Sequence, residues 1–316
     1  MLKNILRLLS ALFFLAPGPS FGRQSALTAS DAAAPAELIS RAGVRRREYM
    51  ERFKGLTAEE TQRIEEYGAE GLKRRREVVS DLIIYQSQLD DSSMFEYRNV
   101  RLVEGKAVAG RDRRVEQLFG RLAKADSRKK ELERLHRESR RYDLDYSAYG
   151  LTLDQGWPLA ERLSPSFRFT VTGNERIDGH DVIVVWYEQL TQTPDLNTKL
   201  SSLPERLKGA EPLFRGRLWL DRETARLRRE ERELTIRHAS LPTPLTLMKY
   251  EFEYGDSRFD ILTPTRIIIS TYNRGRDLPG GGAELSLGGK VVFEYGHFSR
   301  FGVETPDSRL DAPATR

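Results

Sequence analysis

Along "LMKYEFEY", residues 247–254, Met248, Tyr250, Phe252 and Tyr254 alternate with Lys249, Glu251 and Glu253. Successive side chains of a strand point to opposite faces, so this run predicts a strand with one aromatic and one charged face. Phe167, Phe169 and Val171 alternate with Arg168, Thr170 and Thr172 in the same way, and Val291, Phe293 and Tyr295 form a third such set. "VIVVWYE", 182–188, is apolar on both sides, which suits a central strand covered on both faces. With further β-branched or aromatic runs at 78–86, 94–105, 213–221, 225–238 and 263–273, about nine strands are predicted. Connections of hairpin length join most of them, so the strands form an antiparallel meander. One aromatic face along a single long sheet must be covered, which a bent layer achieves by wrapping around helix.

Helical periods occupy two stretches. From Ala36 to about Gly68 the apolar residues are irregularly spaced, and "LTAEETQ" places Thr57 three residues before Glu60 as a capping box. An N-terminal helical segment over 36–77 is expected, with "KRRRE" at 73–77 leading into the first strand. In 111–144, Val115, Leu118, Phe119 and Leu122 recur at helical spacing, followed by Leu132 and Leu135, with a restart expected at Asp126 or Ser127. The fold class is therefore α+β: a curved antiparallel β-sheet, an incomplete barrel of about nine or more strands, wrapped around the amphipathic helix 111–141. The half-barrel would span 78–305, with a disordered tail at 306–316. The stretch 189–212 is longer than a hairpin needs, and Leu196, Leu200, Leu203 and Leu207 make it either a lid over the sheet or a surface loop.

The beginning of the chain changes where this fold is expected to work. Lys3 and Arg7 precede an apolar run from Leu8 to Ala16, and Pro17, Pro19, Ser20 and Gly22 follow. That order predicts a secretory signal peptide over 1–22, a flexible leader over 23–35, and a periplasmic or secreted protein. The apolar run is far short of the ~20 residues that span a bilayer. Cysteine is absent, so disulfides, zinc thiolates, thiol nucleophiles and a lipid-bearing N-terminal cysteine are all excluded.

Charge and candidate chemistry narrow the function. The stretch "RGRLWLDRETARLRREERELTIRH", 215–238, holds eight arginines, but Asp221, Glu223, Glu230, Glu231 and Glu233 interleave with them. A nucleic-acid groove needs one sign of charge and aromatic platforms, so this reads as a solvated hairpin surface with cross-strand ion pairs, and no nucleic acid is expected. Helix 111–141 carries twelve Lys or Arg against six Asp or Glu, a basic surface suited to an anionic membrane or an envelope protein. No G-x-S-x-G is present, and His136, His180, His238 and His297 are isolated in sequence. "GGGAELSLGGK" lacks the first glycine and the Ser or Thr of a phosphate loop. Catalytic residues, metal ligands and cofactors are accordingly assigned to none.

"SDLIIYQ", "YRNVRLVEGKAVAGRDRRVEQLF", "GRLWLDRETARLRREE" and "VVFEYGHFSRFGVET" resemble exported bacterial proteins of acidobacterial type. Their C-terminal half is similar to the half-barrel of the lipoprotein-carrier and lipoprotein-sorting superfamily. The likeness covers roughly 78–120 and 165–305, and Gly216, Leu218, Trp219 and Asp221 are its most distinctive positions. It implies a non-enzymatic carrier or sensor that holds a lipid or acyl chain between sheet and helix. The expected wall is Phe167, Phe169, Trp186, Tyr250, Phe252, Tyr254 and Tyr295. A ligand-free interaction scaffold, with those aromatics as ordinary core, and an envelope hydrolase are the competing readings.

Overall fold

The structure, a computed structural model, describes residues 35–86, 94–124, 128–143, 151–191, 209–239, 243–277 and 283–300. The signal peptide, the leader up to residue 34, residues 192–208 of the 189–212 lid candidate and the 306–316 tail lie outside the described residues. Helix α1, Pro35–Phe53, leads into β1, Leu56–Gly68, β2, Gly71–Gln86, β3, Met94–Val103, and the two-residue β4, Lys106–Ala107. Helices α2, Arg111–Lys124, and α3, Arg128–Ser139, come next, followed by three short 3-10 turns between Leu151 and Ser166. The remaining strands are β5, Phe167–Ile177, β6, His180–Gln189, β7, Glu211–Asp221, β8, Leu227–Arg237, β9, Leu245–Asp256, β10, Leu262–Asp277, and β11, Ala283–Arg300.

All eleven strands form one curved antiparallel sheet in the order β4-β3-β2-β1-β11-β10-β9-β8-β7-β6-β5. Consecutive strands pair in space except β4 and β5, which form the two opposite edges, and at the centre β1 pairs with β11, which brings the first and last strands of the chain together. The sheet does not close, so the architecture is the incomplete barrel that the alternating runs predict.

Two parts of the expected layout are corrected. The helical segment assigned to 36–77 ends at Phe53, and Leu56–Gly68 is a strand held between β2 and β11. Its inward set is Leu56, Ala58, Glu60, Gln62 and Ile64, all buried. Helix-forming Glu and Gln at two inward positions conceal the period of two, and two neighbouring ladders outweigh local propensity. Thr57 caps no helix; its hydroxyl meets Ser299 Oγ at 2.8 Å across the ladder to β11.

The second correction concerns which helix the sheet wraps. The stretch 111–141 is two helices, and they pack on the outer face, where Leu118 and Leu135 meet Tyr97 with Ile83, Tyr85 and Val115 around them. On β2 and β3 these residues alternate with the inward Leu82, Ile84, Glu96 and Arg98. The inner face belongs to α1, whose Leu38, Ile39, Ala42, Tyr49 and Phe53 join the main core with Val185, Leu218, Phe252, Ile267 and Phe293. Leu151, Trp157 and Leu159, from the 3-10 turns, pack beneath α1 in the same core. The close approach needs Gly43, since a Cβ there would lie 3.1 Å from Leu159 O.

The 213–238 hairpin forms as expected. Asp221 Oδ1 accepts from Glu223 N at 3.1 Å and Thr224 N at 2.8 Å, which fixes the turn between β7 and β8. Gly216 is the tight point of this pair: a Cβ there would sit 1.9 Å from Glu231 O and 2.8 Å from Tyr187 Oη.

Candidate functional site

Six of the seven aromatic residues expected to share a wall do share the inner face. Phe167, Phe252, Tyr254 and Tyr295 are buried in the main core, and Phe169 and Tyr250 pack against it half-buried. Tyr250, Phe252 and Tyr254 stack along β9 with centroids 6.3 and 6.5 Å apart, and Phe167 meets Tyr187 edge-on at 5.8 Å. Trp186 is the exception. It pairs with Thr170 and Arg217 and shares its parity with Val182 and Val184, which form a separate outer-face cluster with Trp219. In an apolar-on-both-sides strand the sequence does not say which set faces inward; the pairing to β5 and β7 does.

The inner wall is filled over most of its length. Phe252 is fully buried and Tyr254 only 3 % exposed, because α1 and the 3-10 turns lie across them. The face opens at one end, in a groove of about 650 Å³ between α1 and β5. Phe167, Phe169, Leu159 and Pro165 line it on one side and Ile39, Gly43 and Val44 on the other, with Arg47 and Glu161 at the mouth, 3.5 Å apart.

Polar contacts hold α1 over the sheet. Arg45 Nε donates to Thr224 O at 3.0 Å and Arg46 Nε to Gln155 O at 3.0 Å, while Tyr49 Oη donates to Thr152 O at 2.7 Å. Arg41 reaches Glu223 O, and Arg52 pairs with Asp260. The turns at 221–226 and 257–261 thus serve as a rim on which the helix rests.

Beneath α1 are two buried ionic knots that the sequence reading missed. In one, Arg98 pairs with Glu60 through two nitrogens and lies 3.7 Å from Glu96 Oε2, and Glu96 accepts from Thr152 N at 2.7 Å. In the other, Glu230 accepts from Arg232 Nε at 2.9 Å, Tyr187 Oη at 3.1 Å and Gly156 N at 3.2 Å. Arg232 also donates to Asp154 O at 3.1 Å, and its guanidinium lies over the rings of Trp157 and Phe252. The reading of 215–238 as solvated therefore holds for one face only. Arg215–Glu233 and Arg217–Glu231 are outer-face cross-strand pairs, whereas Glu230 and Arg232 are buried on the inner face. Their spacing of two was the available signal, obscured because arginine and glutamate rarely fill inward positions.

Burial opposes the charge on Arg98 and Arg232, but the carboxylates of Glu60 and Glu96, and of Glu230 with Asp154, raise both guanidinium pKa values above the ordinary one. Burial pushes the Asp143 carboxyl up to about 6, against an opposing pull from Arg98. Tyr97, on the outer face, is pushed up to about 12 by burial and by Glu138. Among the described residues no group of three or more His, Asp or Glu is arranged to hold a metal ion, and no helix is long and apolar enough to cross a membrane.

No family model matches the chain, and no curated protein matches it. Similar solved structures include three chains that are each 12 % identical to this one. A DUF1329 family protein from Desulfovibrio piger has a TM-score of 0.32 over 88 % of this chain and 97 % of its own. A LolA superfamily protein from Nitrosomonas europaea scores 0.30 over the same shares. A domain described as outer membrane lipoprotein-sorting, from Vibrio parahaemolyticus, scores 0.32 over 85 % of this chain and 96 % of its own.

Proposed function

We propose that this chain is an exported, non-enzymatic envelope protein that binds an apolar chain, such as a lipid or lipoprotein acyl chain, in a carrier or sensor role. The observation that supports it is the groove of about 650 Å³ at which the aromatic inner face emerges from under α1. Its size lies in the range of ligand pockets, and its lining is mixed, with Ile39, Val44, Leu159, Phe167 and Phe169 giving an apolar strip beside Ser40, Ser164, Arg47 and Glu161. Covering ~200 Å² of apolar surface there would contribute about 5 kcal/mol before the cost of ordering the ligand. The binding wall is then Phe167 and Phe169, with Leu159, Ile39 and Val44. Tyr250, Phe252, Tyr254 and Tyr295 become the buried continuation that a ligand reaches only where α1 moves off its rim. The exposed Lys130 and Arg137 of α3, with Arg140 and Arg141 just after it, give an outer surface for an anionic membrane or an envelope protein.

A ligand-free scaffold is the second reading, favoured by the complete burial of Phe252 and Phe293 against α1. The two separate at Val44, which is 41 % exposed and lines the groove. Val44→Glu should leave the fold intact and weaken binding of a fluorescent fatty acid at least tenfold. Binding unchanged in that variant, or no fatty acid bound by the native chain and no lipid seen by native mass spectrometry, refutes the acyl-chain reading.

A further inference from the structure

Three polar side chains of the inner face, none of them in the groove, are buried with polar atoms unpaired. Gln62 of β1, Ser80 of β2 and Asp143, in the turn after α3, are each at most 2 % exposed. Both amide atoms of Gln62, Ser80 Oγ and Asp143 Oδ2 have no hydrogen-bond partner among the described residues. An unpaired buried polar atom costs stability, so folded chains keep few of them and each calls for a cause.

Packing supplies none. Gln62 pairs with Val78 on one side and Phe293 on the other, both buried, in a row where an aliphatic side chain would pack. Ser80 pairs with Glu60 and is the diagonal neighbour of Gln62 on the same face. Asp143 is brought to them by the chain as it leaves α3: Arg98 N donates to Ser139 Oγ at 3.0 Å, and Asp143 N to Arg140 O at 3.1 Å. Burial raises the Asp143 pKa, and Arg98 and Gln62 beside it act in the opposite direction. The unpaired atoms thus form one cluster on β1 and β2, next to the Arg98 knot.

Its chemistry selects a class of ligand. Three buried carboxyl groups, Glu60, Glu96 and Asp143, share the buried Arg98, while the half-buried Arg76 and the exposed Arg140 stand at the rim. A further positive charge would balance them. Among the described residues the acidic groups are not arranged to hold a metal ion, whereas an ammonium needs only acceptors for its N–H bonds. Asp143 Oδ2, Gln62 Oε1 and Ser80 Oγ supply three, and Gln62 Nε2 can donate to an oxygen next to the nitrogen.

We propose that this cluster is a second binding site, for a small primary amino alcohol whose ammonium bonds to Asp143, Gln62 and Ser80 and whose hydroxyl accepts from Gln62. It shares no residue with the groove between α1 and β5, so it goes beyond acyl-chain binding and does not depend on it.

Titration calorimetry of the full chain at constant ionic strength tests it, with ethanolamine as the probe. Saturable binding of one ethanolamine per chain is expected, with ethylamine weaker and tetramethylammonium, which carries the charge but no N–H, not bound. Asp143→Asn should weaken ethanolamine binding about tenfold and Ser80→Ala about fivefold. No binding by the native chain, which would leave the cluster to water alone, overturns the proposal. So does equal binding of tetramethylammonium or potassium, or undiminished affinity in the two variants.

Discussion

Asp143 offers a quantitative test of how the inner face is built. It is 2 % exposed, its Oδ2 has no hydrogen-bond partner, and burial raises its pKa from the ordinary 3.8 to about 6. Below pH 3.8 the carboxyl is protonated in both folded and unfolded chains and contributes nothing. As pH rises from 3.8 to about 6, the unfolded chain releases its proton while the folded one retains it, so stability falls through that window. Above pH 6 both are ionised and the folded state carries the whole cost, about 3 kcal/mol at 1.36 kcal/mol per pH unit. Asp143→Asn keeps the shape and cannot ionise. In urea unfolding at pH 8 the variant should be more stable than the parent by up to about 3 kcal/mol, and by about half of that at pH 5. A variant less stable than the parent at pH 8, or a difference that does not change with pH, would show that Asp143 is ionised at little cost and that the Arg98–Glu60 knot accommodates it.

Three further outcomes follow from the same packing. Gly216→Ala forces β7 and β8 apart at Glu231 O and should lower stability by about 3 kcal/mol, measured by thermal or urea unfolding. Arg98→Met leaves Glu60 and Glu96 buried without their cation and should cost about 3–5 kcal/mol; adding Glu60→Leu should recover most of it, a double-mutant cycle that isolates the pair. Phe252→Asp should unfold the chain under either functional reading, since the ring is fully buried beneath Arg232, so circular dichroism of this variant reports on the core and not on the ligand.

Several elements were legible in the sequence because one residue set on one strand decides them. Met248, Tyr250, Phe252 and Tyr254 against Lys249, Glu251 and Glu253 can form only a two-faced strand, and Asp221 at the head of "DRET" closes its turn by local bonds. Six of the seven proposed wall residues were placed on one face by the same alternation. Trp186 was not, because "VIVVWYE" is apolar in both sets and only the pairing to β5 and β7 assigns the inward one.

What the sequence determined by itself, then, is the period of two in most strands, the hairpin turns and the amphipathic character of 111–141, since each depends on residues within one or two elements. Tertiary structure alone decided that Leu56–Gly68 is a strand, that α1 and not the 111–141 pair fills the sheet, and that Glu60, Arg98, Glu230 and Arg232 are interior. The physical reason is common to all three. A glutamate or arginine is an inward residue only when a partner from a distant strand neutralises it, and a helix covers whichever face has apolar surface and rim acceptors to hold it, neither of which any local window of sequence contains.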